Sequence, residues 1–106
     1  MLDRAHRLTT AEQYRSTLRR GRRRGGRLLQ VSTVHEQHTG SPRFGFVVSR
    51  RVGGAVVRNR VRRRLKAIAY DLAPTVQPGT SVVVRALPAA ATAGFEQLAD
   101  EFRASL

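Results

Sequence analysis

Phosphate binding, rather than bond breaking, is the chemistry for which this chain is equipped. Arg58, Asn59, Arg60, Arg62, Arg63, Arg64 and Lys66 fall within nine consecutive residues. Guanidinium groups present planar, paired donors that match phosphate oxygens, and their charge displaces counterions from a polyanion. From Arg43 to Tyr70 there are nine positive side chains and no carboxylate. A solvated helix normally places acids four residues from its bases, whereas the like charges at 58 and 62, and at 62 and 66, repel by about a few tenths of a kcal/mol per pair. The absent counterpart is a polyanion. Groups suited to catalysis are sparse. His6 lies near the start, and His35 and His38 enclose Glu36-Gln37, one residue short of the helical zinc-protease spacing and in a turn-rich stretch. They read as loop histidines, so no protein metal site is expected. No carboxylate pair, phosphate-cradling glycine loop or serine with a base is evident, and the polypeptide has no catalytic constellation.

A helix must position the cations. Val57, Val61, Leu65, Ile68 and Leu72 recur at spacings of four, four, three and four, one apolar stripe facing a core. Arg58, Arg62, Lys66, Asn59 and Arg63 then fan across the opposite side, with Arg60 and Arg64 on the other edge. Gly53-Gly54 opens this helix, and its first amides would themselves attract phosphate. Upstream, Thr9 and Glu12 have capping-box spacing for a helix over 10–20 that carries Ala11, Tyr14 and Leu18 on one face and stops at Gly21. A tyrosine on such a stripe reads first as core. Gly21 to Arg27, GRRRGGR, has the composition of single-strand RNA contacts and equally of a mobile connection. Leu28 to His35 alternates as a strand, residues 35–42 form a turn, and Arg43 to Arg50 gives a second strand with Phe44, Phe46 and Val48 on one face; the spacing predicts an antiparallel hairpin. Pro74, Pro78 and Gly79 lead into Thr80 to Ala86, whose continuous valines predict a buried strand. Pro88 to Ala91 is a connector, Thr92 a candidate N-cap, and Phe95, Leu98, Ala99 and Phe102 predict a terminal helix bearing three of the seven acids.

Composition bounds the partner. The 106 residues suit one domain, and a net charge of +13 implies a nucleic-acid partner. Lys66 is the only lysine; arginine stacks on bases as well as binding phosphate, although a GC-rich genome yields the same bias. Without cysteine, disulfides and thiolate metal sites are excluded. No apolar run reaches membrane-span length, and the N-terminus lacks a signal peptide's apolar segment, which predicts a cytoplasmic protein without membrane association.

Arg51, Gly53, Ala55, Val56, Arg58-Asn59-Arg60, Arg62-Arg63 and Lys66, as a spaced constellation, resemble the signature of the bacterial ribonuclease P protein component, and the likeness runs from His6-Arg7-Leu8 to the terminal helix. The resemblance implies an α/β fold of the α+β two-layer kind: a mixed four-stranded sheet with helices and a left-handed β-α-β crossover, ribosomal protein S5 domain 2-like, in a single RNA-binding domain spanning 1–106. The fourth strand is expected as a short one near the first hairpin. The resemblance further implies that the ribonuclease P RNA is the ribozyme, cleaving the 5′ leader from precursor tRNA with bound magnesium (Mg2+) held mainly by that RNA, while the protein assists and needs no obligate protein partner. Carried over by position, Arg51, Arg58, Asn59, Arg60, Arg62, Arg63 and Lys66 contact the catalytic RNA. Tyr14 is placed in a leader cleft between the first helix and the sheet, with Gln30, Phe44 and Phe46 as further candidates.

This chain departs from the family pattern at three places. Leu18 and Ser32 stand where members often carry base-stacking aromatics, and Arg64 stands where an apolar residue is common. Two other readings compete: a ribosomal-type structural RNA-binding protein without turnover, and a duplex-DNA binder using the basic helix in the major groove.

Overall fold

The computed structural model describes residues 7, 8, 10–35 and 40–106. In order the elements are α1 (Ala11–Arg20), β1 (Arg22–Gly25), β2 (Leu29–Val34), β3 (Arg43–Val47), α2 (Ala55–Leu72), β4 (Ser81–Ala86) and α3 (Phe95–Ala104). A single 3-10 turn, Ala73–Thr75, follows α2, and another, Pro88–Ala91, leads towards α3.

The four strands make one mixed sheet in the order β1-β2-β4-β3. The expected antiparallel β2–β3 hairpin is therefore corrected: β4 lies between them, antiparallel to β2 and parallel to β3. The reason lies in burial. Ser81, Val82, Val83, Val84 and Ala86 are buried, and a strand apolar on both faces belongs at the centre of a sheet. β3, α2 and β4 thus form a parallel β-α-β unit. The fourth strand is β1, which lies inside the arginine-glycine segment read as a loop, with Arg23 opposite Ser32 and Gly25 opposite Gln30.

Register and alternation assign the two faces. One carries Leu29, Val31, Phe44, Phe46, Val82, Val84 and Ala86 and is covered by α2 and α3, whose Val61, Leu65, Ile68, Leu72, Leu98 and Phe102 complete the core. The rings of Phe44 and Phe102 meet edge to face at 6.3 Å, a favoured aromatic geometry. The other face carries Gln30, Ser32, Gly45, Val47, Ser81, Val83 and Arg85, and α1 lies across part of it. Small side chains there let the helix approach closely: a Cβ on Gly21 would come within 3.3 Å of the Ser32 Cβ, and one on Gly45 within 2.5 Å of the Tyr14 ring.

The helix ends refine the sequence reading. The capping box of α1 is made by Thr10, which accepts from the Gln13 amide, and by the Gln13 side chain, which accepts from the Thr10 amide, both at 3.1 Å; Thr9 lies outside the described residues. Glu12 instead pairs with Arg15 at 3.0 Å. Gly21 caps α1 with extended backbone rather than a left-handed turn. The N-cap of α3 is Gly94, not Thr92, and the Gln97 side chain accepts from the Gly94 amide at 2.8 Å. The role of one acid on the terminal helix was not legible in its spacing. The Glu101 carboxylate accepts from the amides of Leu28 (2.9 Å) and Leu29 (2.5 Å) and fastens the β1–β2 turn to α3.

Candidate RNA interface

α2 forms where its stripe predicts. Val61, Leu65, Ile68, Ala69 and Leu72 are buried and Val57 packs against them, so eighteen residues of helix are anchored along one side. Around its axis, Arg58, Arg62 and Lys66 follow one shoulder, half-buried, while Asn59 and Arg63 stand exposed on the back. Arg62 donates to the Asn59 side chain at 3.3 Å. Arg60 and Arg64 take the other shoulder, where they donate to the carbonyls of Ala91 (2.8 Å) and Ala93 (3.0 Å) in the segment leading to α3. The apolar residue expected at 64 is thus replaced by an arginine whose head reaches a main-chain acceptor. The Nε atoms of Arg58 and Arg60 are buried and have no acceptor among the described residues.

The ion pairs among the described residues are Arg15–Glu12 and Arg103–Asp100, each within one helix and exposed. Neither involves α2. Arg15 holds the Glu12 carboxyl below its usual value, by hydrogen bond and by charge. The N-cap of α2, Gly54, has no side-chain cap, and the helix has no acid in its first turn. The amide end and the arginine shoulders therefore present a positive field that no ion pair among the described residues neutralises.

The other candidate residues separate into two groups. Tyr14 lies over Gly45, and its hydroxyl accepts from the Phe46 amide at 3.1 Å. Leu8 donates to the Phe44 carbonyl at 2.8 Å, so these two contacts cover one acceptor and one donor on the outer edge of β3. Gln30 is on the same sheet face as Gly45, which lies beneath the Tyr14 ring, two strands and one residue pair away, roughly 12 Å between the two strand backbones at ordinary strand spacing. Phe44 and Phe46 are not on this face. Phe44 is 1% exposed in the core beneath α3, and Phe46 packs against that core; alternation points both rings away from Tyr14, so neither is available to a strand lying there. Ser32, also 1% exposed, is buried under α1, which removes it from any contact surface. Leu18 is half-buried on α1.

Beyond α1 the sheet face is open and holds Arg51, arginines of the arginine-glycine segment, and Arg85, which sequence reasoning missed. Gln30, with Arg23, Arg24, Gly25, Gly26, Leu29 and Leu87, lines a concavity of about 290 Å³. Arg51 and Arg85, with Val47, Ser49, Ala86, Leu87 and Pro88, line a second of about 320 Å³. The two adjoin at Leu87, and Arg85 pairs in register with Gln30. Arg51 therefore belongs to this open face rather than to α2. The available signal for Arg85 was its position as the one charged residue in an otherwise uncharged, largely apolar strand run. β1 adds Arg22, Arg23 and Arg24, all exposed, as part of seven arginines between Glu12 and Glu36 without an intervening acid.

The family model for ribonuclease P matches residues 2–106. The chain belongs to the ribonuclease P protein family. It is 47% identical to the ribonuclease P protein component of Rhodococcus opacus, across the whole of this chain and 90% of that one. It is 49% identical to that of Acidothermus cellulolyticus, covering 96% and 86%. Among solved structures, the fold is similar to the ribonuclease P protein of Staphylococcus aureus, with TM-score 0.84, 20% identity and coverage of 96% and 93%. That of Thermotoga maritima gives TM-score 0.81, 19% identity and coverage of 92% for both chains. A ribonuclease P match over the full chain leaves the ribosomal-type and duplex-DNA readings without support.

Proposed function

We propose that this chain serves ribonuclease P as its RNA-binding protein subunit, with α2 seated on the catalytic RNA and the open sheet face beside α1 guiding the single-stranded 5′ leader of precursor tRNA. The observation that carries this reading is the asymmetry of α2: one side is sealed into the core, and the other bears cations with no carboxylate partner among the described residues. A rigid cationic rod of this kind neutralises phosphates at little ordering cost, because the helix is already held. Tyr14, Gln30, Arg23, Arg51 and Arg85 then offer a ring edge, an amide and charges along one face, a set suited to an unpaired strand.

Cleavage is assigned to the RNA. The described residues contain no cluster of three metal-binding side chains, and Glu12, Asp100 and Glu101 are engaged by arginines or main-chain amides. In this reading the ions that polarise the scissile phosphate and activate water are held mainly by the RNA. The chain's contribution is charge: it lowers repulsion between two folded RNAs and so strengthens substrate binding when magnesium is scarce. Among the described residues no helix is long and apolar enough to cross a membrane, and a tRNA-processing role supports a cytoplasmic location.

Reconstitution tests this reading. Added to ribonuclease P RNA at low magnesium, the chain should stimulate removal of the 5′ leader from precursor tRNA. The double variant Arg58→Ala/Arg62→Ala should bind that RNA more weakly, with a plot of log affinity against log salt shallower by about one to two units. Absence of stimulation by the native chain would refute the role, and an unaltered slope would move the interface off α2.

A further inference from the structure

Phosphate contacts account for the arginines of α2 but not for the apolar groups standing among them. The large apolar side chains exposed among the described residues are Val56, Tyr70 and Phe95, and two of the three are on this helix, Val56 at 81% and Tyr70 at 53% exposure. Positions seven apart nearly superimpose on a helix, drifting by about 20° per step. Val56, Arg63 and Tyr70 therefore form one ridge on the side away from Val61, Leu65 and Leu72. It runs for about 21 Å at 1.5 Å per residue. Asn59 and Lys66 stand beside it, and no carboxylate precedes Asp71.

The two tyrosines of the chain are used differently. Tyr14 lies over Gly45 with its hydroxyl bound to the Phe46 amide, whereas the Tyr70 hydroxyl has no partner among the described residues and its ring is half in water. Its neighbours Ile68 and Ala69 are buried, so the core beneath this turn is complete without it. An exposed ring at the end of a cationic track is suited to an unpaired base: the charges hold the backbone and the ring offers a stacking face.

We propose that Tyr70 stacks on an unpaired base of the ribonuclease P RNA, extending the interface two helical turns beyond Arg63. This rests on the assignment of α2 to that RNA. The chain has no tryptophan and two tyrosines, so in a Tyr14→Phe background the tyrosine emission comes from Tyr70 alone. Titration with ribonuclease P RNA, in the absence of precursor tRNA and corrected for absorption with free tyrosine amide, should quench that emission in step with binding. In the native background, Tyr70→Ala should weaken affinity by about fivefold or more without changing the salt slope, and Tyr70→Phe, which keeps the ring, should recover it to within about twofold. Arg62→Ala, measured in parallel, should make the slope shallower by about one unit. Unquenched emission or native affinity in Tyr70→Ala, with the Arg62→Ala slope reduced, overturns the stacking role and leaves α2 as the interface. An unaltered slope in Arg62→Ala removes the helix from the interface and overturns both.

Discussion

Replacing Gly45 with alanine should disturb the sheet face proposed for the leader through one methyl group. Gly45 lies in β3 and is not among the residues with positive φ, so its backbone accepts alanine and the effect is steric. The added Cβ would fall 2.5 Å from Tyr14 Cζ and 2.6 Å from Cε2, whereas carbon atoms rest about 3.5–4.0 Å apart. The ring must retreat by about 1 Å. It can do so only by lengthening the 3.1 Å bond its hydroxyl accepts from the Phe46 amide, at the outer edge of the strand. Overpacking costs about 1–3 kcal/mol and a hydrogen bond is worth about 0.5–1.5 kcal/mol; since a ring edge yields more readily than backbone, a total near 1–3 kcal/mol is expected. Urea unfolding of Gly45→Ala, Tyr14→Ala and the double variant measures the coupling. In the Tyr14→Ala background the glycine substitution should be neutral or stabilise by up to about 1 kcal/mol, because it only removes freedom from the unfolded chain. Gly45→Ala should also weaken binding of leader-bearing precursor tRNA more than of mature tRNA. Equal stability losses in both backgrounds would refute the contact, and equal losses for both RNAs would leave Tyr14 as scaffold.

Three further outcomes are expected. Glu101→Ala should destabilise by about 2–4 kcal/mol by stranding the Leu28 and Leu29 amides, with Glu101→Gln recovering part of the loss; thermal unfolding measures both. Arg60→Ala should lower stability by about 1.5–3 kcal/mol, since its guanidinium binds the Ala91 carbonyl, while Arg62→Ala should stay within about 0.5 kcal/mol of native yet lose RNA affinity. The Glu12 carboxyl is held below its ordinary 4.5 by Arg15, so its stabilising effect is complete above that value and disappears as pH falls through the lowered one; Arg15→Ala should be less stable than native above about pH 5, with the difference closing as acid titration passes below the lowered value.

Much of the fold is legible in the residues because burial writes a period into sequence. α2 needs one apolar side, and the 57–61–65–68–72 stripe announces it; β4 is covered on both faces and reads as an unbroken apolar run. β1 left no such mark, since all four residues are exposed and an edge strand of arginine and glycine looks like a loop. Pairing order was also illegible: alternation tells which side of a strand is buried but not its neighbour, and the short chain distance between β2 and β3 suggested a hairpin that the more apolar β4 displaced. At the site, charge density located α2, while the roles of individual arginines depended on tertiary acceptors at Ala91 and Ala93 that no spacing encodes. The aromatic candidates divided by face: Tyr14 reaches the α1 side, and Phe44 and Phe46 point to the core because strand parity fixes them there.

β4 is the last strand in the chain and the only one bonded to both β2 and β3. During synthesis, β1 and β2 can meet as soon as they emerge, but β3 has no strand partner until Ala86 has left the ribosome. The basic helix can wind earlier on its own, yet it has nothing to rest upon. Translation therefore exposes the basic helix before the sheet that supports it can close, and nascent chains halted before Ser81 should lack the β4 pairings on which β3 depends instead of forming a smaller version of the same adaptor.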